Sequence, residues 1–301
     1  MKQRTSQPVI AIVGLGLLGA SLGMVLRNRS RYRVGYARNS EVRQWALDHD
    51  CVDAAPETLE AVLKQADLTV LCLPIPVICD YLERYASCFK PGSIVTDIGS
   101  DKAVIVAAGE RFLTPRHVRF IGSHPMAGTE NSGCRAAFPE LYNNAEVFVT
   151  VTPQSDPAAV DAVSEFWSAI GTRVRRIDPR AHDKLVAHTS HISHLLALAL
   201  TLTVLDCDDP EEEALRYSGC ATGFRDTSRI ASSSPRMWRE IIANNQPAVL
   251  DAARRFQAIY DHIVQTIAAG DFDAFEAEFA RGKELRDAWI AYKKESAAKL
   301  R

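Results

Sequence analysis

The sequence predicts an α/β protein: a Rossmann-type dinucleotide-binding domain over residues 1–178, followed by an all-helical domain over residues 179–301. Three observations carry this reading. Short β-branched runs alternate with helical segments through the first part of the chain. A glycine turn, G-L-G-L-L-G, joins the first of these runs to the first helix. After Ile177 the strand-like runs stop, and only long amphipathic patterns remain. A chain of 301 residues is long enough to bury a core in each of two domains.

In order, the strand runs are VIAIVG, YRVGYA, DLTVLCLP, SIVTDIG, VRFIG, EVFVTVT and TRVRRI. They are continuously apolar rather than alternating, as strands covered on both faces are. Helical segments such as SEVRQWALDHD and AAVDAVSEFWSAIG separate them. The pattern is therefore one of βαβ units, with a mostly parallel sheet and helices on both faces. The turn-like DPR at 178–180 marks the domain boundary. Beyond it, HDKLVAHTSHISHLLALALTLTVL is apolar nearly all round over residues 190–205, which implies burial by a neighbouring domain or a second subunit. The next pattern, starting at SPRMWREI, is interrupted at Asn245 and Pro247. Gly270 and Asp271 read as the C-cap of one helix and the N-cap of the next.

Composition narrows the function classes. The chain is 47% hydrophobic and 24% charged, with a net charge of -2, so it lacks the basic footprint of a nucleic-acid binder. The start MKQRTSQPVIAIVG holds a short apolar run that opens a glycine loop, a buried strand rather than a secretion signal. No uninterrupted apolar run approaches the ~18 residues of a membrane span, and no membrane partner is expected. The seven cysteines are scattered without a C-x-x-C pair. That argues against disulfides or a zinc knuckle and for a reducing, cytoplasmic home.

The glycine turn has the form of a cofactor site. Gly14 permits the tight turn, Gly16 lets a pyrophosphate approach the backbone, and Gly19 permits close helix–strand packing. Leu17 and Leu18 open the helix whose N-terminus faces the phosphates. Leu73 and Pro74, at the end of the third strand run, complete the expected cofactor wall. Which dinucleotide binds turns on the end of the second strand, where an NAD site usually carries an acid for the ribose hydroxyls. Here the strand runs out into Ala37, Arg38, Asn39 and Ser40. A guanidinium suits a 2′-phosphate, so NADP is the expected cofactor, with NAD as the alternative.

Catalytic groups are expected beyond the carboxyl ends of the strands. Ser100 and Lys102 in DIGSDK and His124 in IGSHPMAGTENSG occupy such ends. A histidine can take a proton from a hydroxyl near neutral pH.

Taken together, DIGSDK, GSHPMAGTENSG, HDKLVAHTSHISH, GFRDTSRIA and MWREI resemble the motifs of the prephenate/arogenate (cyclohexadienyl) dehydrogenase family. The resemblance runs from the glycine loop to near Ala269. It implies a dinucleotide domain joined to a helical domain that forms a homodimer, and an oxidative decarboxylation of prephenate or arogenate in tyrosine biosynthesis. By resemblance His124 is the catalytic histidine on the substrate hydroxyl, Ser100 its hydroxyl neighbour, and Arg229 the carboxylate anchor. Thr129 and Glu130 line the same loop as His124, and Asp226 pairs with Arg229 or gates entry. Arg225 serves a structural ion pair, and His191 or His194 helps to bind substrate. No metal is expected, because no carboxylate or cysteine is suitably interleaved with the histidines at 182, 188, 191 and 194. Asp101 departs from the family pattern, which often has an apolar residue there. Two other readings use the same fold: a β-hydroxyacid dehydrogenase, for which no strong lysine motif is found, and a non-catalytic NADPH sensor, which would leave His124, Ser100 and Arg229 without a joint purpose.

Overall fold

The computed structural model describes residues 7–27, 29, 31–129 and 131–298, so that Glu130 lies outside the described residues. It opens with β1 (Val9–Val13), α1 (Leu17–Val25), β2 (Tyr32–Tyr36), α2 (Ser40–Asp48) and the short α3 (Leu59–Leu63). Then follow β3 (Leu68–Leu71), α4 (Ile75–Arg84), β4 (Ile94–Asp97), α5 (Ala103–Leu113) and β5 (Arg119–Phe120). The five strands form a parallel sheet in the order β2-β1-β3-β4-β5. The order reverses direction between β1 and β3, and that crevice is where an open α/β sheet holds its ligand.

The continuous apolar runs are explained by which cores they feed. On β1, Ile10 and Ile12 enter one cluster with Leu22, Val70 and Trp167. Ala11 and Val13, pointing the other way, join Val34, Leu71, Ile78, Val95 and Ile105 on the opposite face. One polar side chain is fully buried in β2: Arg33 reaches the Gly23 carbonyl at 2.8 Å and the carboxylates of Asp50 and Asp53 at 2.8 and 3.0 Å. A buried guanidinium is tolerated because several of its donors are satisfied.

After β5 the chain leaves this sheet. β6 (Ser123–Pro125), β7 (Glu146–Thr150) and β8 (Arg173–Ile177) make a separate three-stranded sheet, with α6 (Pro157–Ser168) between β7 and β8. β6 runs antiparallel to β7, while β7 and β8 are parallel. The run VRFIG is therefore not one strand ending in a loop. Its end crosses to a second sheet, and His124 sits on a short strand opposite Phe148.

From Pro179 every described element is helical. α7 (Pro179–Val186) passes through one π turn, Ala187–His191, into α8 (Ile192–Leu205). Then come α9 (Pro210–Gly219), α10 (Thr222–Ser228), a 3₁₀ turn at Arg229–Ser232 and α11 (Pro235–Asn244). Two long helices, α12 (Gln246–Ala268) and α13 (Phe272–Ala298), follow. The class changes at Asp178, yet the first compact unit continues to Gln246, with a second from Pro247 onward. α11 shows why: its Ile241 and Trp238 join the core beneath the parallel sheet.

Within the second unit, Gly270 has φ +71° and Asp271 accepts the Ala274 N–H at 3.0 Å, the C-cap and N-cap read from the sequence. The break expected at Asn245 separates α11 from α12. The stretch Pro179–Leu205 is long and apolar enough to cross a membrane by length and composition, with a mean hydropathy of 1.3 over its most apolar window. Its first turns, however, carry His182 and Asp183, which are buried in the α/β unit. Farther along it, Leu198 and Leu202 are exposed.

Candidate active site

The glycine loop has the geometry a dinucleotide needs. Gly14 has φ +101°, and a Cβ there would lie 2.1 Å from the Cys72 carbonyl oxygen at the end of β3. A Cβ on Gly19 would lie 1.9 Å from the Gly14 carbonyl oxygen, so α1 closes on the turn only with glycine there. Gly16 differs: it is exposed, it is the N-cap of α1, and a Cβ on it would meet nothing within 4 Å. Two glycines thus shape the cradle and the third leaves backbone open at a helix N-terminus, which fits a pyrophosphate. Leu17 is buried under the turn and Leu18 half-buried. Leu73 packs beside Gly14, and Pro74 is the N-cap of α4.

A cleft of about 630 Å³ runs from this turn to the end of β2, lined by Leu15, Gly16, Ala37, Arg38, Asn39, Val42, Gly133 and Cys134. Arg38, Asn39 and Ser40 are exposed. Asn39 caps α2, its Oδ1 accepting the Glu41 N–H at 2.7 Å. Sequence reasoning missed Arg43, one turn into α2, which donates to the carbonyls of Ala37 and Arg38 at 2.8 and 3.1 Å and so braces the turn beside Arg38.

Around His124 the framework is polar and buried. Asp97, at the end of β4, forms an ion pair with Lys102, and both are fully buried. Lys102 also donates to the Ser123 carbonyl at 2.9 Å, and Asp97 Oδ1 accepts the Ser123 N–H at 3.1 Å. The Ser123 hydroxyl meets Thr96 Oγ1 at 2.8 Å and accepts the Trp167 indole N–H at 2.9 Å. These contacts clamp β6 to β4 on the residue before His124. A buried charged pair with its hydrogen bonds satisfied holds such a geometry tightly, because losing one partner strands the other.

Behind His124 lies a chain of hydrogen bonds. His124 Nδ1 is 3.0 Å from His182 Nε2. His182 Nδ1 is 2.9 Å from Asp183 Oδ1. Asp183 accepts the N–H groups of Lys102 and Ala103, at the start of α5, at 2.7 and 2.9 Å. Asp178 caps α7 through the N–H groups of Arg180 and Ala181, which sets His182 on the first turn. An ionised carboxylate only accepts, so His182 carries its proton on Nδ1 and accepts at Nε2. His124 must then donate from Nδ1, which leaves its Nε2 with a bare lone pair. Burial, with the His182, Lys102 and His191 charges adding to it, holds the His124 pKa well below that of an ordinary imidazole. Burial also lowers that of His182, against the pull of Asp183.

Ser100 is half-buried in the loop after β4, and among the described residues its hydroxyl makes no hydrogen bond to His124. Its neighbour Asp101 is buried with no hydrogen bond to either carboxylate oxygen among the described residues. Burial, then the Asp183 charge, push Asp101 up to about 8.

The helical part contributes a second wall. His191 is buried; its Nε2 lies 3.8 Å from Asp101, and its Nδ1 is 3.4 Å from the Asn245 side chain, which also donates to the Asp183 carbonyl at 2.8 Å. His194 stays half-buried, its ring over Trp238 with centroids 3.8 Å apart. Burial lowers the His194 pKa, the bond to the Ser190 carbonyl opposes this, and the Arg229 charge adds to the lowering. The two histidines the sequence could not separate thus differ: His191 points into the protein, and His194 keeps an open side. Their registers pass through the π turn at Ala187–His191, a feature common at functional sites.

Arg229 is exposed at the start of its 3₁₀ turn. Asp226 pairs with Arg225 at 3.0 Å, both exposed. Thr129 is exposed, and its hydroxyl accepts the Asn131 N–H at 3.2 Å. Hydrogen bonds thus join His124, His182 and Asp183, with His191 tied in through Asn245 and with Asp101 3.8 Å from His191, while Thr129 and Asp226 stand outside this group. Sequence reasoning placed His182 only within the histidine cluster and missed Asp97, Asn245 and Trp238. The signal for His182 and Asp183 was their place one turn into a helix that starts on a strong cap, D-P.

Comparisons with known proteins bear on the family. Residues 22–176 match the family described as "Prephenate dehydrogenase, nucleotide-binding domain", and residues 178–281 match "Prephenate dehydrogenase, dimerization domain". A cyclohexadienyl dehydrogenase of Zymomonas mobilis is 32% identical over 283 residues, covering 92% of this chain and 94% of its own length. The prephenate dehydrogenase of Aquifex aeolicus, solved with hydroxyphenyl propionate and NAD+, superposes with a TM-score of 0.86 at 29% identity, over 96% of this chain and 100% of that one. A Synechocystis arogenate dehydrogenase superposes with a TM-score of 0.81 at 30% identity, over 93% of this chain and 99% of that one. With an open glycine cradle, a histidine whose Nε2 is left bare, and both halves matched, the chain belongs to the prephenate/arogenate dehydrogenase family of NAD(P)-dependent oxidoreductases.

Proposed function

We propose that this chain catalyses the oxidative decarboxylation of prephenate, arogenate or both, with NADP preferred over NAD, and that it works as a cytoplasmic homodimer. The observation that carries the catalytic reading is the free Nε2 of His124, whose other nitrogen is committed to His182 at 3.0 Å. His124 is neutral at physiological pH, so Nε2 can take the substrate's hydroxyl proton. The bound nicotinamide supplies the hydride acceptor. As the ring carboxylate leaves as carbon dioxide the ring becomes aromatic, which makes the step irreversible. The protein therefore has to position the substrate and remove a proton at the right atom.

Ser100, half-buried in the loop after β4, is the group we assign to orient the substrate hydroxyl. Arg229 and His194 form the far wall. The exposed guanidinium takes a substrate carboxylate, a role suited to a planar fork, and His194 packs on Trp238 beside it. Thr129 and Asp226, both exposed, are assigned to the entrance, and Glu130 lies outside the described residues.

The NADP preference rests on Arg38, exposed on the cleft at the end of β2, and on the lack of an acid from Ala37 to Ser40. The Aquifex protein was solved with NAD+, so the preference is argued from this chain's own turn. Dimer formation is supported by apolar side chains left exposed on helices: Leu198 and Leu202 on α8, Ile259, Tyr260 and Val264 on α12, and Phe279 and Trp289 on α13. The test is a grid of prephenate and arogenate against NAD and NADP, following reduced cofactor. No turnover in any cell would overturn the function, and a higher kcat/KM with NAD would refute the role given to Arg38.

A further inference from the structure

We propose that His182 and Asp183 extend His124 into a two-histidine proton relay, so that the proton leaving the substrate hydroxyl displaces a second proton inward to His182. This deepens the reading of His124 as the base and rests on it. The geometry that points to it is continuous: 3.0 Å from His124 to His182, 2.9 Å from His182 to Asp183, then two backbone N–H groups of α5 on the carboxylate at 2.7 and 2.9 Å. His182 is fully buried, its ring packed at a steep angle to that of Phe148, and the imidazole has no other hydrogen-bond partner among the described residues. A buried imidazole between a base and a carboxylate is in the place where an orienting group belongs.

The proton balance is simple. The substrate O–H bond breaks as His124 Nε2–H forms; His124 Nδ1–H breaks as His182 Nε2–H forms. His124 ends neutral, and His182 ends as an imidazolium beside the Asp183 carboxylate. The positive charge therefore settles on the ring that has an anionic partner rather than beside the nicotinamide, which is cationic before it receives hydride. The relay resets when His124 Nε2–H passes its proton to solvent through the cleft and the inner proton returns to His124 Nδ1.

The charged and titratable groups facing the pair are Asp183 on α7, Lys102 at the start of α5, Asp97 on β4, Asp101 in the loop after it, and His191 in the π turn. Lys102 is neutralised by Asp97. Asp183, in direct contact with His182, is the anion that decides how basic the pair is.

His182 and Asp183 do not touch the substrate; they are positioning residues, and the test must read more than loss of activity. His182→Gln keeps an acceptor for His124 and a donor for Asp183 but cannot take a proton. Its kcat is expected to fall ~10–100-fold, as for groups that orient and tune a reacting side chain, with both KM values within threefold of the wild type. The acid limb of its kcat–pH profile is expected to move to lower pH, because the pair loses its more easily charged member. Asp183→Asn is expected to move the limb the same way. If that variant fails to fold, as loss of one acceptor for the α5 amides could cause, His182→Gln alone decides. His182→Gln with wild-type kcat and an unmoved acid limb would overturn the relay. His124→Asn separates the two claims: if it is inactive while His182→Gln is normal, only the relay fails; if His124→Asn turns over normally, the base assignment itself fails.

Discussion

Replacing Asp101 by valine should stabilise the protein, and by an amount that depends on pH. Asp101 is buried, has no hydrogen bond to either oxygen among the described residues, and is pushed up to about 8 by burial and the Asp183 charge. His191, whose Nε2 lies 3.8 Å away, is held down to about 4, chiefly by burial, and so brings no positive charge above pH 5; the Lys102 charge opposes the rise but is itself paired with Asp97. In the unfolded chain an aspartate titrates near ~3.9. Between about pH 4 and about pH 8 the folded protein therefore binds a proton that the unfolded chain has lost. A raised carboxyl of this kind makes stability fall as pH rises through that window and level off above it. Each pH unit costs up to ~1.4 kcal/mol, so that at pH 7 the ceiling is ~4 kcal/mol. Water penetration and relaxation around the carboxyl reduce it. Valine is larger by about one methyl-sized group, a packing cost that does not vary with pH, and it has no charge to desolvate, so the variant loses this slope. At roughly 2 °C per kcal/mol for a chain of this size, the thermal midpoint of Asp101→Val should exceed that of the wild type by several degrees at pH 8 and by much less at pH 5. Differential scanning calorimetry at pH 5, 6, 7 and 8 gives the gap directly. A gap independent of pH, or a wild type that is the more stable at pH 8, would refute the reasoning.

Other expectations bear on the two walls of the site. Arg229→Ala should raise the KM for the cyclohexadienol substrate ~10–100-fold, the loss of a charge-assisted hydrogen bond, with kcat little changed; steady-state kinetics with saturating cofactor read this, and a KM near wild type would remove Arg229 from the substrate site. Gly19→Ala puts a methyl 1.9 Å from the Gly14 carbonyl oxygen, so the turn must open and cofactor affinity should fall at least tenfold. Fluorescence titration with NADPH measures it, and an unchanged Kd would show that the turn does not hold the pyrophosphate.

Much of this architecture is local and was legible in the sequence. Gly14 and Gly19 announce a strand–turn–helix because each answers a steric demand within a few residues or across one strand, and Gly16 between them completes the spacing. The stops at Asn245 and Gly270 are equally local, since caps depend on one residue and its immediate backbone. The second sheet was not legible. β6 pairs with β7 more than twenty residues onward, and nothing in SHP says that the chain has left the parallel sheet; Gly122, where a Cβ would meet Thr150 Oγ1 at 2.5 Å, marks the crossing only once the partner is known. The site divides in the same way. His124 and Ser100 lie at strand ends, where pattern alone raises suspicion. His182 is 58 positions from His124, and Asp183 is 81 from Lys102, so the relay exists only through folding. Lys102 stands out at a strand end as a chemical candidate, but its burial in an ion pair with Asp97 was not legible, because a buried charge looks in sequence like any surface charge.

His124 is the group assigned to take the hydroxyl proton, and the catalytic reading stands or falls with it. The direct measurement is kcat and KM of His124→Asn with prephenate and arogenate at saturating cofactor, beside a fluorescence titration of NADPH. Asparagine keeps a polar side chain of similar reach but no basic nitrogen. The expected result is a kcat lowered ~10²–10⁴-fold, the range for loss of a general base, with KM and cofactor affinity within a fewfold of wild type. A variant that folds, binds cofactor and turns over within threefold of the wild-type rate would contradict it.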